Sequence, residues 1–350
     1  MLCRRRGQAK KATVDMIDLV MNTFLEKLPT REEKFTFLQS LREACEGKMF
    51  LEREYAQCTR KLIEMLEEDG KTDEAAITIQ EIQIETYGSL KNEEKVDFIL
   101  YQMKLVLQRN DFVRLQILSR KISKKAINEK GLEPQKVQYY TFMVKYFINE
   151  KETMDVAKAY QTIFDTYSKA EGDLKLKLDP TGELAKRAFQ NYILFLLIAP
   201  YTDDKVTLLK EIEGSYPREL EAEELLAKYV KKFLTFEICP YDENEVEQQM
   251  LKYEPFQETT KNAKLHMIEI FRQMIQHNIR VMEKYYSRIK LERLSFLAGV
   301  SVERTEAELG DMVVKKRIAA KINRLEGIVV FQKKKQFTDG SLTQWNQNIK

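Results

Sequence analysis

The sequence predicts an all-α solenoid of degenerate, tetratricopeptide-like helical hairpins, followed by a winged-helix module with a small antiparallel β-sheet. Three observations carry this. From Thr13 to Tyr286 apolar residues recur at three- and four-residue spacing, with hardly any alternation of the β type. Breaks group the predicted helices in twos, with a rhythm near about 40 residues that is typical of helical-hairpin repeats. From Ser287 the pattern changes to short helix, turn, short helix and hairpin.

Composition agrees with many helices and few breakers: 350 residues contain only 12 Gly and 7 Pro, with 43% hydrophobic and 32% charged residues. Residues 1–12 form a basic tail with Arg4, Arg5, Arg6, Lys10 and Lys11; no apolar run follows, so a secretory signal is excluded and a solvated tail is expected. Residues 13–238 are expected to be solenoid. Pro29, Thr30 and Glu33 form a capping-box start before Phe35, Leu38 and Leu41. Helix pairs then follow: 52–68 with 72–87, 93–108 with 112–128, and 134–149 with 153–169. No hairpin of this kind covers its own apolar face, so neighbours must stack. Tyr192 to Tyr201 (YILFLLIAPY) is the most apolar stretch, but it is about half the length needed to cross a bilayer and stops at Pro200, which predicts a buried helix end. Pro217 opens another helix, with Glu219, Glu221, Glu223 and Glu224 near its positive end.

Residues 239–286 read as a bend, broken by Pro240 and Pro255, and then a long spine helix with Leu265, Ile268, Phe271, Ile275, Ile279 and Met282 along one stripe. In residues 287–335, a helix from Ile289 to Ala298 ends at Gly299, and Ser301 caps a second helix that turns Val302, Leu309, Met312 and Val313 inward. Two strands, Ile318 to Asn323 and Gly327 to Phe331, complete a winged helix. Residues 336–350 read as a linker and the start of a C-terminal helix at Trp345 to Ile349.

A solenoid joined to a winged helix is the plan of the PCI family, and particular segments carry the resemblance further. LSFLAGVSVERTEAELGDMVV (Leu294 to Val314) and IAAKINRLEGIVVF (Ile318 to Phe331) resemble the PCI module of 26S proteasome lid subunits. Tyr139 to Tyr167 and Asn191 to Ile212 resemble the solenoid of the same subunits, and the likeness runs in order from about Met49 onward. It implies a non-catalytic scaffold that assembles with other PCI lid subunits through its winged helix. The solenoid would reach the ATPase ring and core-particle α subunits, in support of ubiquitin-dependent degradation in cytoplasm and nucleus. It also implies a long terminal helix in a bundle, and the sequence reaches only the first residues of one at Lys350. Two other readings stay open: a paralogous PCI subunit of the COP9 signalosome, and a PCI protein of translation initiation or mRNA export with a weak RNA contact.

The residue chemistry excludes most other classes. The 58 basic and 55 acidic residues give a net charge of +3, which produces no long-range field for nucleic acid or an anionic membrane. Cys3, Cys45, Cys58 and Cys239 lack both metal-ligand spacing and the density of a disulfide framework, as expected in a reducing compartment. His266 and His277 are the only histidines, with no third ligand near, so no metal is expected. Phosphate loops and nucleophile motifs are absent, and no cofactor, small-molecule substrate or catalysis is expected. The second helix of the winged module presents Glu303, Glu306, Glu308 and Asp311 against Arg304, which would repel DNA phosphates. Lys315, Lys316, Arg317 and Lys333 to Lys335 read as solubilising wing residues. What remains is a strand edge. Ile318, Ala320, Ile322, Ile328, Val330 and Phe331 are therefore the expected interface, joined to a neighbour's wing by strand addition, with about half of these side chains packing inward.

Overall fold

The structure, a computed structural model, describes residues 9–170, 172–239, 242–257, 260 and 262–332. Arg4 to Arg6, Cys3, Pro240, Lys333 to Lys335 and the expected helix start at 345–349 lie outside the described residues. The chain divides into two compact units, Met1–Ala185 and Lys186–Lys350, within the helical stretch expected over 13–238.

The first unit opens with α1 (Lys10–Leu19), a π-helical turn over Val20–Phe24, α2 (Leu25–Lys27) and α3 (Arg31–Cys45). Thr30 Oγ1 accepts from the Glu33 amide at 3.3 Å and so starts α3. Then come α4 (Glu52–Glu68), α5 (Thr72–Gln80), α6 (Asn92–Gln108), α7 (Phe112–Lys121), α8 (Lys124–Ile127), α9 (Glu133–Glu150), α10 (Thr153–Lys169) and α11 (Gly172–Leu178). The α4–α5 turn closes as a Schellman motif: the Lys71 amide donates to Leu66 O and the Gly70 amide to Glu67 O. It needs the positive φ of 74° that Gly70 adopts without a Cβ penalty.

Two helices expected to be continuous are broken, each for a local reason. The 72–87 segment stops being α-helical at Gln80, where Gln102 Nε2 donates to the buried carbonyls of Ile79 at 2.8 Å and Ile82 at 3.2 Å. The 112–128 segment divides at Ser123, whose hydroxyl accepts from the Ala126 amide and caps α8 afresh.

One apolar cluster runs through α4 to α9, with Ile63, Ile79, Met103, Val106 and Leu115 at its centre. Successive hairpins are also laced on their surfaces by polar pairs at a near-constant sequence separation. Arg31 with Glu68, Glu67 with Lys104, Glu52 with Ser89 and Asn92 with Glu129 are each 37 residues apart, and Arg53 with Glu94 is 41 apart. Equivalent positions of neighbouring repeats thus meet. Each exposed pair contributes under about 1 kcal/mol, so burial holds the stack and the pairs set its register.

The second unit contains most of α12 (Glu183–Ile198), followed by α13 (Asp203–Ser215), α14 (Pro217–Glu221), α15 (Glu224–Thr235), α16 (Glu243–Met250) and α17 (Ala263–Tyr285). The helix expected after Pro217 is split at Ala222–Glu223, because the Glu223 carboxylate turns to α12, accepting from Gln190 at 2.8 Å and pairing with Lys186 at 3.3 Å. Among the described residues no helix is long and apolar enough to cross a membrane.

The expected stripe of α17 holds only in its second half. Leu265 and Ile268 are 51% and 55% exposed, while His266, Gln273, Gln276, His277 and Asn278 are buried among Ile275, Ile279 and Met282. Polar side chains can lie there because they have partners. Asn278 accepts from the Cys239 amide at 2.8 Å and donates to Cys239 O at 2.9 Å, His277 Nε2 meets Glu237 O at 2.9 Å, and His266 Nδ1 meets Pro255 O at 3.0 Å. Against α17 pack α18 (Leu291–Ala298) and α19 (Val302–Val314), and three strands follow the same core: β1 (Arg288–Lys290), β2 (Ala320–Asn323) and β3 (Ile328–Phe331). β1 occupies residues expected to begin the first helix of the module, which instead starts at Leu291. A short charged Arg-Ile-Lys run has too few alternations to register as a strand.

Candidate protein-interaction edge

The sheet order is β1-β3-β2, both pairs antiparallel, so β3 is central. Its register puts Ala320 opposite Phe331 and Ile322 opposite Val329, with Ile289 opposite Val329 on the other side. Hydrogen-bonded and non-bonded pairs alternate in such ladders. On the β1 side the Phe331 amide donates to Ser287 O and the Leu291 amide to Gly327 O; on the β2 side the Gln332 amide donates to Ala319 O at 2.7 Å. Counting by twos from 319, Lys321 and Asn323 direct their amides and carbonyls into the ladder. Ala320 and Ile322 therefore turn theirs outward, away from β3.

The six expected interface residues thus separate into three groups. Among the described residues Ala320 and Ile322 are on an open edge, with half-buried side chains packed on their own module's core. Ile328, Val330 and Phe331 belong to the central strand, which is paired on both sides and so offers no backbone edge of its own. Ile318 precedes β2 and is buried in the core with Phe331. Ile328 and Val330 instead stand on the face opposite the core, beside Arg288, Lys290 and Lys321 by register.

Sequence reasoning missed the second edge entirely. β1 has its own outer side, but it is three residues long and carries exposed Arg288 and Lys290 on either side of buried Ile289. Charge and shortness are how sheets discourage pairing at an edge. β2 is the less guarded of the two, its two outward-bonding residues being Ala and Ile.

Several charged and polar groups elsewhere in the unit are paired within it. On α19, Glu308 pairs with Arg272 at 3.3 Å and accepts from Gln276 at 2.9 Å, Glu306 pairs with Arg324 at 2.7 Å, and Asp311 pairs with Lys315 at 2.8 Å. Arg317 donates to Gln276 Oε1 at 3.0 Å. Burial lowers His266 and brings His277 down to about 4, so both are neutral rings holding backbone carbonyls. Lys205, wholly buried, donates to Leu197 O at 2.8 Å and Ala199 O at 2.7 Å and so terminates α12. Among the described residues no group of three or more His, Cys, Asp or Glu could hold a metal ion.

Comparison with known proteins agrees with this architecture. Residues 1–171 match the family described as PSMD12/CSN4, N-terminal, and residues 242–333 match the PCI domain. The chain is 32% identical to the 26S proteasome regulatory subunit RPN5 of Saccharomyces cerevisiae over all of its length and 76% of the relative's. The chain belongs to this family of 26S proteasome regulatory subunits. Identity is 31% to the 26S proteasome non-ATPase regulatory subunit 12 homolog A of Arabidopsis thaliana, over 99% of this chain and 81% of that one. It is likewise 31% to the regulatory subunit rpn501 of Schizosaccharomyces pombe, over 99% and 76%. In this RPN5-type family member, the PCI match takes in α16, α17 and the three-stranded sheet, so the open β2 edge lies inside the matched domain.

Proposed function

We propose that this chain is a non-catalytic scaffold of the proteasome regulatory-particle lid, docking on other PCI subunits by strand addition at β2. The carrying observation is the asymmetry of the sheet: β3 is saturated, β1 is guarded by Arg288 and Lys290, and β2 turns the amides and carbonyls of Ala320 and Ile322 outward. Backbone bonds then supply the contact, and the face bearing Ile328, Val330 and Lys321 selects the neighbour. The repeats of the first unit contact the ATPase ring or core-particle α subunits. The setting is cytoplasm and nucleus, and no substrate, cofactor or nucleic acid is bound.

A COP9 signalosome subunit is the second reading, since the N-terminal family description spans both assemblies. The proteasome reading is preferred because the relatives above, at 31–32% identity, are named as proteasome subunits. Purification through a tag on the chain distinguishes them. Proteasomal ATPases and peptidase subunits should co-purify; recovery of cullin-regulating subunits or ribosomes instead would overturn the assignment.

A further inference from the structure

Two cysteines of the first unit are placed as a reactive pair. Cys45 is the last residue of α3 and Cys58 lies in α4, and both pack in one small cluster with Ile17, Met21 and Leu51, at 1% and 0% exposure. Both side chains belong to that one cluster, and Cys58 Sγ lies 3.1 Å from Met21 Sδ in the π-helical turn. Sulfur-bearing side chains from three elements thus share one buried cluster.

The two thiols differ in access and in environment. Cys45 lines a cleft of about 330 Å³ bounded also by Lys48, Glu52, Tyr55 and Tyr87, whereas Cys58 is wholly buried. The hydrogen bond from Cys58 holds Cys45 below the ordinary thiol value, with Lys48 adding to this, while burial and Glu54 oppose it. The same pairing, together with burial, pushes Cys58 up. The proton is thus lost more readily from the cysteine that lines the cleft, which is the order that a nucleophilic and a resolving thiol require.

We propose that Cys45 and Cys58 form an oxidisable dithiol, in which a hydroperoxide entering the cleft oxidises Cys45 and Cys58 resolves it to an intramolecular disulfide tying α3 to α4. The Cys45 thiolate attacks one peroxide oxygen; the O–O bond breaks, hydroxide leaves, and Cys45 becomes a sulfenic acid. Cys58 sulfur then attacks Cys45 sulfur, the S–O bond breaks, and hydroxide departs as water with the Cys58 proton. Two thiols lose two electrons in total, and hydrogen peroxide is reduced to two waters.

The test uses the full chain, folded, treated with dilute hydrogen peroxide, alkylated and digested with trypsin without reduction. Mass spectrometry should find Glu43–Lys48 joined to Glu54–Arg60 through one disulfide, in excess over any pairing with Cys239. Cys58→Ser should lose the link and accumulate a dimedone-reactive sulfenic acid at Cys45. In Cys45→Ser, Cys58 should stay an alkylatable thiol. Recovery of both as free thiols from peroxide-treated, still-helical wild-type chain would overturn the proposal, as would oxidation beginning at Cys58. The wild-type digest decides the matter even if a variant fails to fold.

Discussion

Ile322→Pro separates the open edge from the fold that carries it. The Ile322 amide points away from β3, so proline at 322 removes no ladder bond, and the restriction that proline places on its predecessor falls on Lys321, which is already in a strand. The fold loses part of a half-buried side chain, roughly 1 kcal/mol. At a strand-addition interface the same change removes one donor and leaves the partner's carbonyl unsatisfied, at about 1–3 kcal/mol. That corresponds to an affinity about 5- to 150-fold weaker. Lys321→Pro is the opposite control: its amide faces β3, so the ladder breaks and the module should unfold. The assay pairs thermal denaturation of the isolated variants with native-gel incorporation into regulatory particle depleted of this subunit. Ile322→Pro that melts near wild type and still incorporates with wild-type affinity would refute the β2 reading.

Lys205→Met keeps most of the buried stem but leaves Leu197 O and Ala199 O without a donor, and should cost about 2–4 kcal/mol by urea denaturation, against under about 0.5 for Lys210→Met on the exposed side of α13. Asn278→Ala strips both partners from buried Cys239 backbone groups and should cost about 2–4 kcal/mol, with early loss of protection at the Cys239 amide in hydrogen exchange. His277 titrates near 4 in the fold against an ordinary 6.5, so the unfolded chain binds the extra proton between these values and stability falls as pH drops through that window. The loss between pH 7.5 and pH 5 should be about 2 kcal/mol, and His277→Gln, which can still donate to Glu237 O, should flatten that slope. Ser301→Ala removes the acceptor for the Arg304 amide and should lower stability by about 1 kcal/mol without altering incorporation.

The repeats were legible because hydrophobic spacing and capping chemistry are both local. α4 and α10 run from Glu52 to Glu68 and from Thr153 to Lys169, where spacing alone places them. Helix interruptions were not legible when their cause lies in another helix: nothing near Gln80 announces that Gln102 will donate to the Ile79 and Ile82 carbonyls, nor near Glu223 that Gln190 will donate to its carboxylate. The α17 stripe was misread for the same reason. Hydropathy assigns Asn278 and His277 to water, and only the distant Cys239 and Glu237 backbone makes their burial tolerable. At the edge, alternation identified β2 and β3 as strands but not their order. The order depends on β1, whose three residues are too few to carry a period.

Placing β3 in the middle changes what the apolar wing residues do. In a two-stranded wing each of the six expected residues would border an edge, and the hydrophobic ones would serve recognition. With β1 in place, Phe331 and Val329 are core, Ile318 anchors the approach to β2, and of the six expected residues Ala320 and Ile322 are the ones whose backbone groups face outward from the described sheet. Charge then bears on which pairing is permitted. Two copies meeting through β1 would bring Arg288 and Lys290 of each against those of the other, and two meeting antiparallel through β2 would bring their Lys321 side chains together. Like charges directly opposite are destabilising, so both self-pairings are disfavoured relative to a neighbour with an acidic residue facing Lys321. An edge that is apolar in its bonding residues and cationic at its flank is thus suited to joining an unlike strand in preference to another copy of itself.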